Sequence, residues 1–169
     1  MHNTKKIFVF FFLISLIINT QAYAKTAFLD LDFVFQNSNL GKKISDKLEK
    51  LKSKNLELLK NRETEFMKEE NELKKIKNLI SEDEFKKKLN ELSDKLNQYK
   101  VEKKTIGSDF NKIKNDELKL FFQQINPIIQ EYMNNKNINL LLEKKNIFIG
   151  KAENDITSDI LNAVNNEFK

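Results

Sequence analysis

The chain has 169 residues, with 30 Lys or Arg against 25 Asp or Glu and a formal charge of +5. His2 is its one histidine and it has no cysteine, so removal of the first segment leaves no Cys or His nucleophile and no His/Cys metal site. Three scattered glycines (Gly41, Gly107, Gly150) make no phosphate-cradling loop, and a single proline in a chain that is 33% charged describes long helices, not a turn-rich β fold.

Residues 1–24 read as an export signal. Lys5 and Lys6 form a basic start, Ile7 to Ile18 is apolar save for one serine, and Ala22-Tyr23-Ala24 is a small-residue cleavage site. A membrane span needs about 20 apolar residues, and this run is shorter. Cleavage after Ala24 removes two lysines and no acid, leaving +3 from Lys25 onward. An exported chain without cysteine must be stabilised by packing and oligomerisation, since disulfides are not available to it.

Thr26–Phe35 (TAFLDLDFVF) reads as a first strand, with Ala27, Leu29, Leu31 and Phe33 alternating with Phe28, Asp30 and Asp32. Residues 25–40 therefore belong to a small body that is completed by the other end of the chain.

Residues 41–120 read as one long antiparallel helical hairpin. The segment has no proline, and apolar residues recur at alternating steps of three and four. The outward stripe runs through Ile44, Leu48, Leu51, Leu59, Phe66, Leu73, Ile76 and Ile80. The return stripe runs through Phe85, Leu89, Leu92, Leu96, Tyr99, Ile106, Phe110, Ile113 and Leu120. A stripe this narrow is a coiled-coil seam. Between the legs Ser81-Glu82-Asp83-Glu84 is a capping box that starts a new helix with acids in its first turn. Folding the stripes back on each other tests the idea. Ile76 meets Leu89, Leu73 meets Leu92, Phe66 meets Tyr99 and Leu59 meets Ile106, each pair of residue numbers summing to 165. Arg62 meets Lys103 in the same ladder, a like-charge pairing that is unfavourable unless both side chains turn to solvent. Legs of about 40 residues reach roughly 60 Å. The polar seam positions (Asn55, Arg62, Glu69, Lys103, Glu117) set register or let the arm bend.

Residues 121–169 rejoin the body. Pro127 should bend or restart the return helix. Ile138–Leu142 and Ile147–Ile149, joined by Lys144-Lys145-Asn146, read as a β-hairpin, so the body is expected to hold a three-stranded sheet. Asp155 or Thr157 then caps a last helix with Ile156, Ile160, Leu161, Val164 and Phe168 on its apolar face. A body of about 60 residues is marginal alone. Its apolar residues, including Phe28, Leu29, Leu31, Phe33, Phe35, Phe121, Phe122, Leu140, Leu142, Ile147 and Phe148, exceed what one helix covers, and burial between copies is the natural solution.

This layout resembles the Skp/OmpH family of periplasmic chaperones. The resemblance is carried by Phe28-Leu29-Asp30 after the export signal and by Val34-Phe35-Gln36 with Ser38 and Gly41-Lys42. It continues with Asn126-Pro127-Ile128-Ile129, Asn139-Leu140-Leu141-Leu142-Glu143 and Ile147-Phe148-Ile149. The Asp155-Ile156-Thr157 opening of the last helix, with Ile160-Leu161, is the sharpest match. It extends over the chain after the signal, the arms matching by pattern. The resemblance implies a mainly α fold with a small β association body, a homotrimer, and arms around a cavity. It also implies a periplasmic holdase that keeps unfolded outer-membrane β-barrel proteins from aggregating without ATP or any other cofactor.

Client contacts under that reading are apolar residues off the seam: Leu56, Leu58, Leu79, Val101 and Leu118. Lys74, Lys75, Lys77, Lys86, Lys87 and Lys88 at the tip suit acidic clients or an anionic lipid surface, against the plainer reading of a solvated tip. Three rivals belong to other classes. A nucleic-acid binder would use the lysines on phosphates, but export removes that ligand and no nucleic acid is expected. A structural coiled-coil spacer tethered by residues 7–18 differs in keeping Met1 on the mature protein. An enzyme lacks residues to carry it, because the carboxylates lie on helix faces as ordinary Glu/Lys surface.

Overall fold

The computed structural model describes residues 24–169, so all but the last residue of the expected export signal lies outside it. The elements are β1 (Thr26–Leu29), α1 (Leu31–Asn37), α2 (Asn39–Ile76), α3 (Glu82–Asn135), β2 (Leu140–Glu143) and α4 (Thr157–Glu167), with short 3-10 turns at Lys144–Asn146 and Ala152–Asn154.

The first strand is shorter than the alternation predicts. Pairing stops at Leu29, and Leu31–Asn37 is helical because the Asp30 carboxylate accepts from the Phe33 N–H at 2.9 Å and caps the turn. Over five residues Leu31, Phe33, Val34 and Phe35 fit either period, and the cap decides. Val34 becomes fully buried while Phe33 turns outward.

Ser38 then joins two helices. Its N–H donates to Val34 O, closing α1, and its Oγ accepts from the Gly41 N–H at 3.1 Å, opening α2. The corner is tight. A Cβ on Gly41 would lie 1.7 Å from the Phe35 carbonyl oxygen.

The return helix does not break at Pro127. α3 is continuous for 54 residues, roughly 80 Å at 1.5 Å per residue. Phe121, Ile125 and Ile129 line its buried face. Pro127 sits on the exposed side, where the carbonyl that loses its donor is open to water. The end of α3 is a Schellman motif: Asn137 takes φ 53°, Ile138 N–H donates to Met133 O and Asn137 N–H donates to Asn134 O. The turn drops Ile138 into the core and aims the chain at β1.

β1 and β2 pair in parallel, with Thr26 beside Leu140 and Leu29 beside Glu143. A parallel pair needs a long crossover, and here the whole arm is that crossover. The expected third strand is absent among the described residues. Ile147–Ile149 pairs with nothing among the described residues: Lys144–Asn146 winds into a 3-10 turn, with Ile147 N–H donating to Lys144 O at 3.0 Å, and does not fold the chain back onto β2. The other edge of β1 is bridged by Phe28 to Asp155, with Ile156 N–H donating to Phe28 O at 3.0 Å. The core joins both chain ends: Ala27, Leu29, Val34 and Ile44 from the first part, Phe121, Ile125, Ile129 and Ile138 from α3 and its exit, and Ile156, Ile160 and Val164 from the last helix.

Asp155 accepts from the Thr157 N–H and hydroxyl and from Lys144 Nζ at 2.9 Å. Burial works to raise its carboxyl pKa, but these hydrogen bonds outweigh burial and hold it below the usual 3.8. A lowered folded pKa contributes stability that is complete above the unfolded value and is lost as pH falls through the folded one. Asp155→Asn should therefore flatten the fall in Tm below about pH 4. Thermal unfolding across that range checks it, and an unchanged slope would assign the acid sensitivity to other carboxylates.

Candidate functional site

The arm is built as the seam predicts. Ser81 Oγ accepts from the Glu84 N–H at 3.3 Å, and Glu82, Asp83 and Glu84 occupy the first turn of α3. The rings of Phe66 and Tyr99 lie 5.3 Å apart. Polar pairs cross between the legs at the same register: Lys47 with Glu117, Lys103 with Glu63 at 3.0 Å and Lys95 with Glu69 at 2.9 Å. The feared meeting of Arg62 and Lys103 does not occur. Lys103 turns to Glu63, and Arg62 lies 3.9 Å from Glu102 and 3.6 Å from Glu65.

Tyr99 is the centre of this layer. Its hydroxyl donates to Glu63 at 2.7 Å. That bond, then the one from Lys103 and the ammonium charge, holds the Glu63 carboxyl below its ordinary value. Burial first, then the bond to Glu63, raises the Tyr99 hydroxyl, and bonding to Glu63 raises Lys103. A half-covered polar layer is a register device, because slipping one leg by a turn would leave Tyr99 without its acceptor.

Four of the five candidate contact residues stand free: Leu56 is 57% exposed, Leu58 44%, Leu79 79% and Val101 66%. Leu118 is half-buried instead. It lies where the covered face of α3 drifts around the helix between arm and body, because an α-helix turns about 20° per heptad against a strict 3.5-residue stripe. The same drift leaves Leu120, read as a seam residue, 49% exposed.

The tip lysines do not make a patch of one sign. Lys74 pairs with Glu70 and Lys86 with Glu82, both at 2.7 Å. Lys88 is half-buried, Lys75, Lys77 and Lys87 are exposed, and so are Glu72, Asp83 and Glu84 in the same stretches of chain.

The body residues divide. Phe28 and Leu29 belong to the chain's own interior, and Leu31 and Ile147 are half-buried. Leu140, Leu142 and Phe148 are open to solvent, Phe148 completely. Phe33 and Ile149, 46% and 86% exposed, join them. The signal for Phe33 was the Asp30-x-x-Phe33 cap, which turns that side chain away from Val34.

Among the described residues no cluster of His, Cys, Asp and Glu is arranged to hold a metal ion, and no helix is long and apolar enough to cross a membrane.

The comparisons with known proteins agree with this architecture. A structure from Caulobacter crescentus CB15, assigned as an outer membrane chaperone (OmpH-like), superposes with a TM-score of 0.80 at 18% identity, covering 86% of each chain. A search of curated protein sequences gives no match. The profile of the family described as outer membrane protein (OmpH-like) matches residues 25–164. With its helical arm, its two-stranded body and a family match that spans both, the chain belongs to the OmpH-like family.

Proposed function

We propose that this protein is an ATP-independent holdase chaperone of the periplasm. It gathers as a homotrimer through its body and shields unfolded outer-membrane β-barrel proteins between its arms. The observation that carries the reading is the exposure of Leu56, Leu58, Leu79 and Val101 along an arm that is held apart from the core. A client with exposed apolar segments needs shielding without tight, ordered contacts. Each such leucine or valine, when covered, contributes roughly 1–2 kcal/mol. Contacts this weak, repeated over several arms, hold a chain through multivalency and leave it mobile.

Membership of the OmpH-like family supports the reading. So do Leu140, Leu142, Phe148 and Ile149, large apolar side chains that a small body leaves open to solvent. At the tip, Leu79 with Lys75, Lys77 and Lys87 offers an anionic lipid surface a weak secondary contact, tempered by the neighbouring carboxylates.

Changing Leu56, Leu79 and Val101 together to serine tests the contacts. Suppression of aggregation of an unfolded β-barrel protein, without ATP, should fall several-fold while the oligomer's mass and helicity stay unchanged. Undiminished suppression would move client binding off these residues.

A further inference from the structure

The arm holds a groove that none of the expected contact residues lines. It runs between the legs on the tip side of Tyr99 and encloses about 590 Å³. Its apolar walls are Phe66, Met67, Leu89, Leu92, Leu96 and Tyr99.

The groove originates in the seam. Opposite Leu96 the outward leg supplies Glu69, whose carboxylate turns to Lys95 on the far face at 2.9 Å. Leu96 is left without an apolar partner, and the seam opens around it. Leu89 is 49% exposed, Leu96 37% and Met67 56%, although seam leucines of a closed coiled coil are covered. The opening is therefore written into the pairing of the legs.

Its remaining lining is Glu63, Glu70 and Ser93, and the cations beside it, Lys103 and Lys74, are each held by one of those two carboxylates. Glu63 accepts from Tyr99 and Lys103, and Glu70 from Lys74. A carboxylate has about four acceptor positions, so each can still take a donor from a partner. An apolar floor with an acceptor rim complements an apolar stretch that carries a basic side chain. Met67 adds a flexible wall that can adjust to different side chains.

We propose that this groove is a docking site for an extended polypeptide segment whose large apolar side chains are flanked by an arginine or lysine. That an unfolded client supplies the segment rests on the holdase reading above, whereas occupancy of the groove is measured separately. A fluorescent peptide of alternating Leu and Phe with one central Arg, and its twin with Glu in place of Arg, are titrated into the purified protein by anisotropy. Met67→Lys places a cation on the rim at an exposed position, Leu89→Asn with Leu96→Asn removes the apolar floor, and Leu120→Ser changes an exposed leucine outside the groove.

The Arg peptide should bind at least tenfold more tightly than the Glu peptide. Met67→Lys and the double variant should each lose at least tenfold, and Leu120→Ser should lose nothing. Helicity by circular dichroism confirms folding, and Met67→Lys stands as the test if the double variant unfolds. Equal binding of both peptides, no binding at all, or unchanged binding by Met67→Lys overturns the site. A fall in oligomer mass with Met67→Lys also overturns it, by assigning the groove to contact between copies. Wild-type protein that binds the peptide but fails to suppress client aggregation would instead remove the holdase reading and leave the groove occupied.

Discussion

Phe121→Ala is expected to cost about 3–5 kcal/mol, the range for truncating a fully buried phenylalanine. Phe121 is completely inside the body. Its ring meets Phe35 edge-on at a centroid distance of 4.9 Å and Phe122 at 5.6 Å. It also sits where three parts of the chain meet, since Phe35 comes from α1 and Val164 from the last helix packs in the same core. A small domain has only about 5–15 kcal/mol in all, so a loss of that size threatens the whole body. Because α3 runs unbroken from arm to body, the arm's base should loosen with it. Thermal unfolding followed by circular dichroism reads the change, and a loss below about 1 kcal/mol would contradict the placement of Phe121 at the centre of the core.

Gly41→Ala should be nearly as damaging, although it adds only a methyl group. The new Cβ would overlap the Phe35 carbonyl oxygen at 1.7 Å and its carbon at 2.7 Å. These are backbone atoms and cannot swing aside, so the corner between α1 and α2 has to open. Overpacking of this kind costs about 1–3 kcal/mol or more, and a Tm loss of roughly 10 °C follows for about 3 kcal/mol in a chain of this size. Gly107→Ala is the matched control. Its Cβ would meet nothing within 4 Å in the middle of α3, so it should stabilise the arm by about 0.5–1 kcal/mol through helix propensity alone. Equal effects of the two changes would show that the corner has room for a Cβ.

The arm was legible in the sequence because one signal is repeated along both legs. The steps of three and four on each side of Ser81 share a mirror point, and the pairs Phe66–Tyr99 and Lys103–Glu63 confirm its register. The body was less legible because its segments are short. In Leu31–Phe35 the strand and helix periods coincide, and only the Asp30 side chain separates them. Ile147-Phe148-Ile149 has strand composition, but the 3-10 turn at Lys144–Asn146 does not fold it back onto β2. Pro127 is tolerated because it falls on the wet side of α3, a matter of helical phase that proline content alone does not give.

The candidate site was readable in part for the same reasons. Residues off the seam, such as Val101 and Leu79, are exposed as the pattern requires. The groove was also written in the ladder, where Leu96 faces Glu69. A mismatch of that kind reads in sequence as a polar interruption of the seam. Its effect on the apolar partner, uncovering Leu96, becomes visible only when Glu69 is seen to turn to Lys95.

A body that gathers arms, and arms that hold an unfolded chain, are tested most directly by the light-scattering mass of the purified protein, alone and with an unfolded β-barrel protein. The account predicts three protomers per particle and, on addition of the client, a soluble particle heavier by one client chain. A monomeric mass that the client leaves unchanged would contradict it.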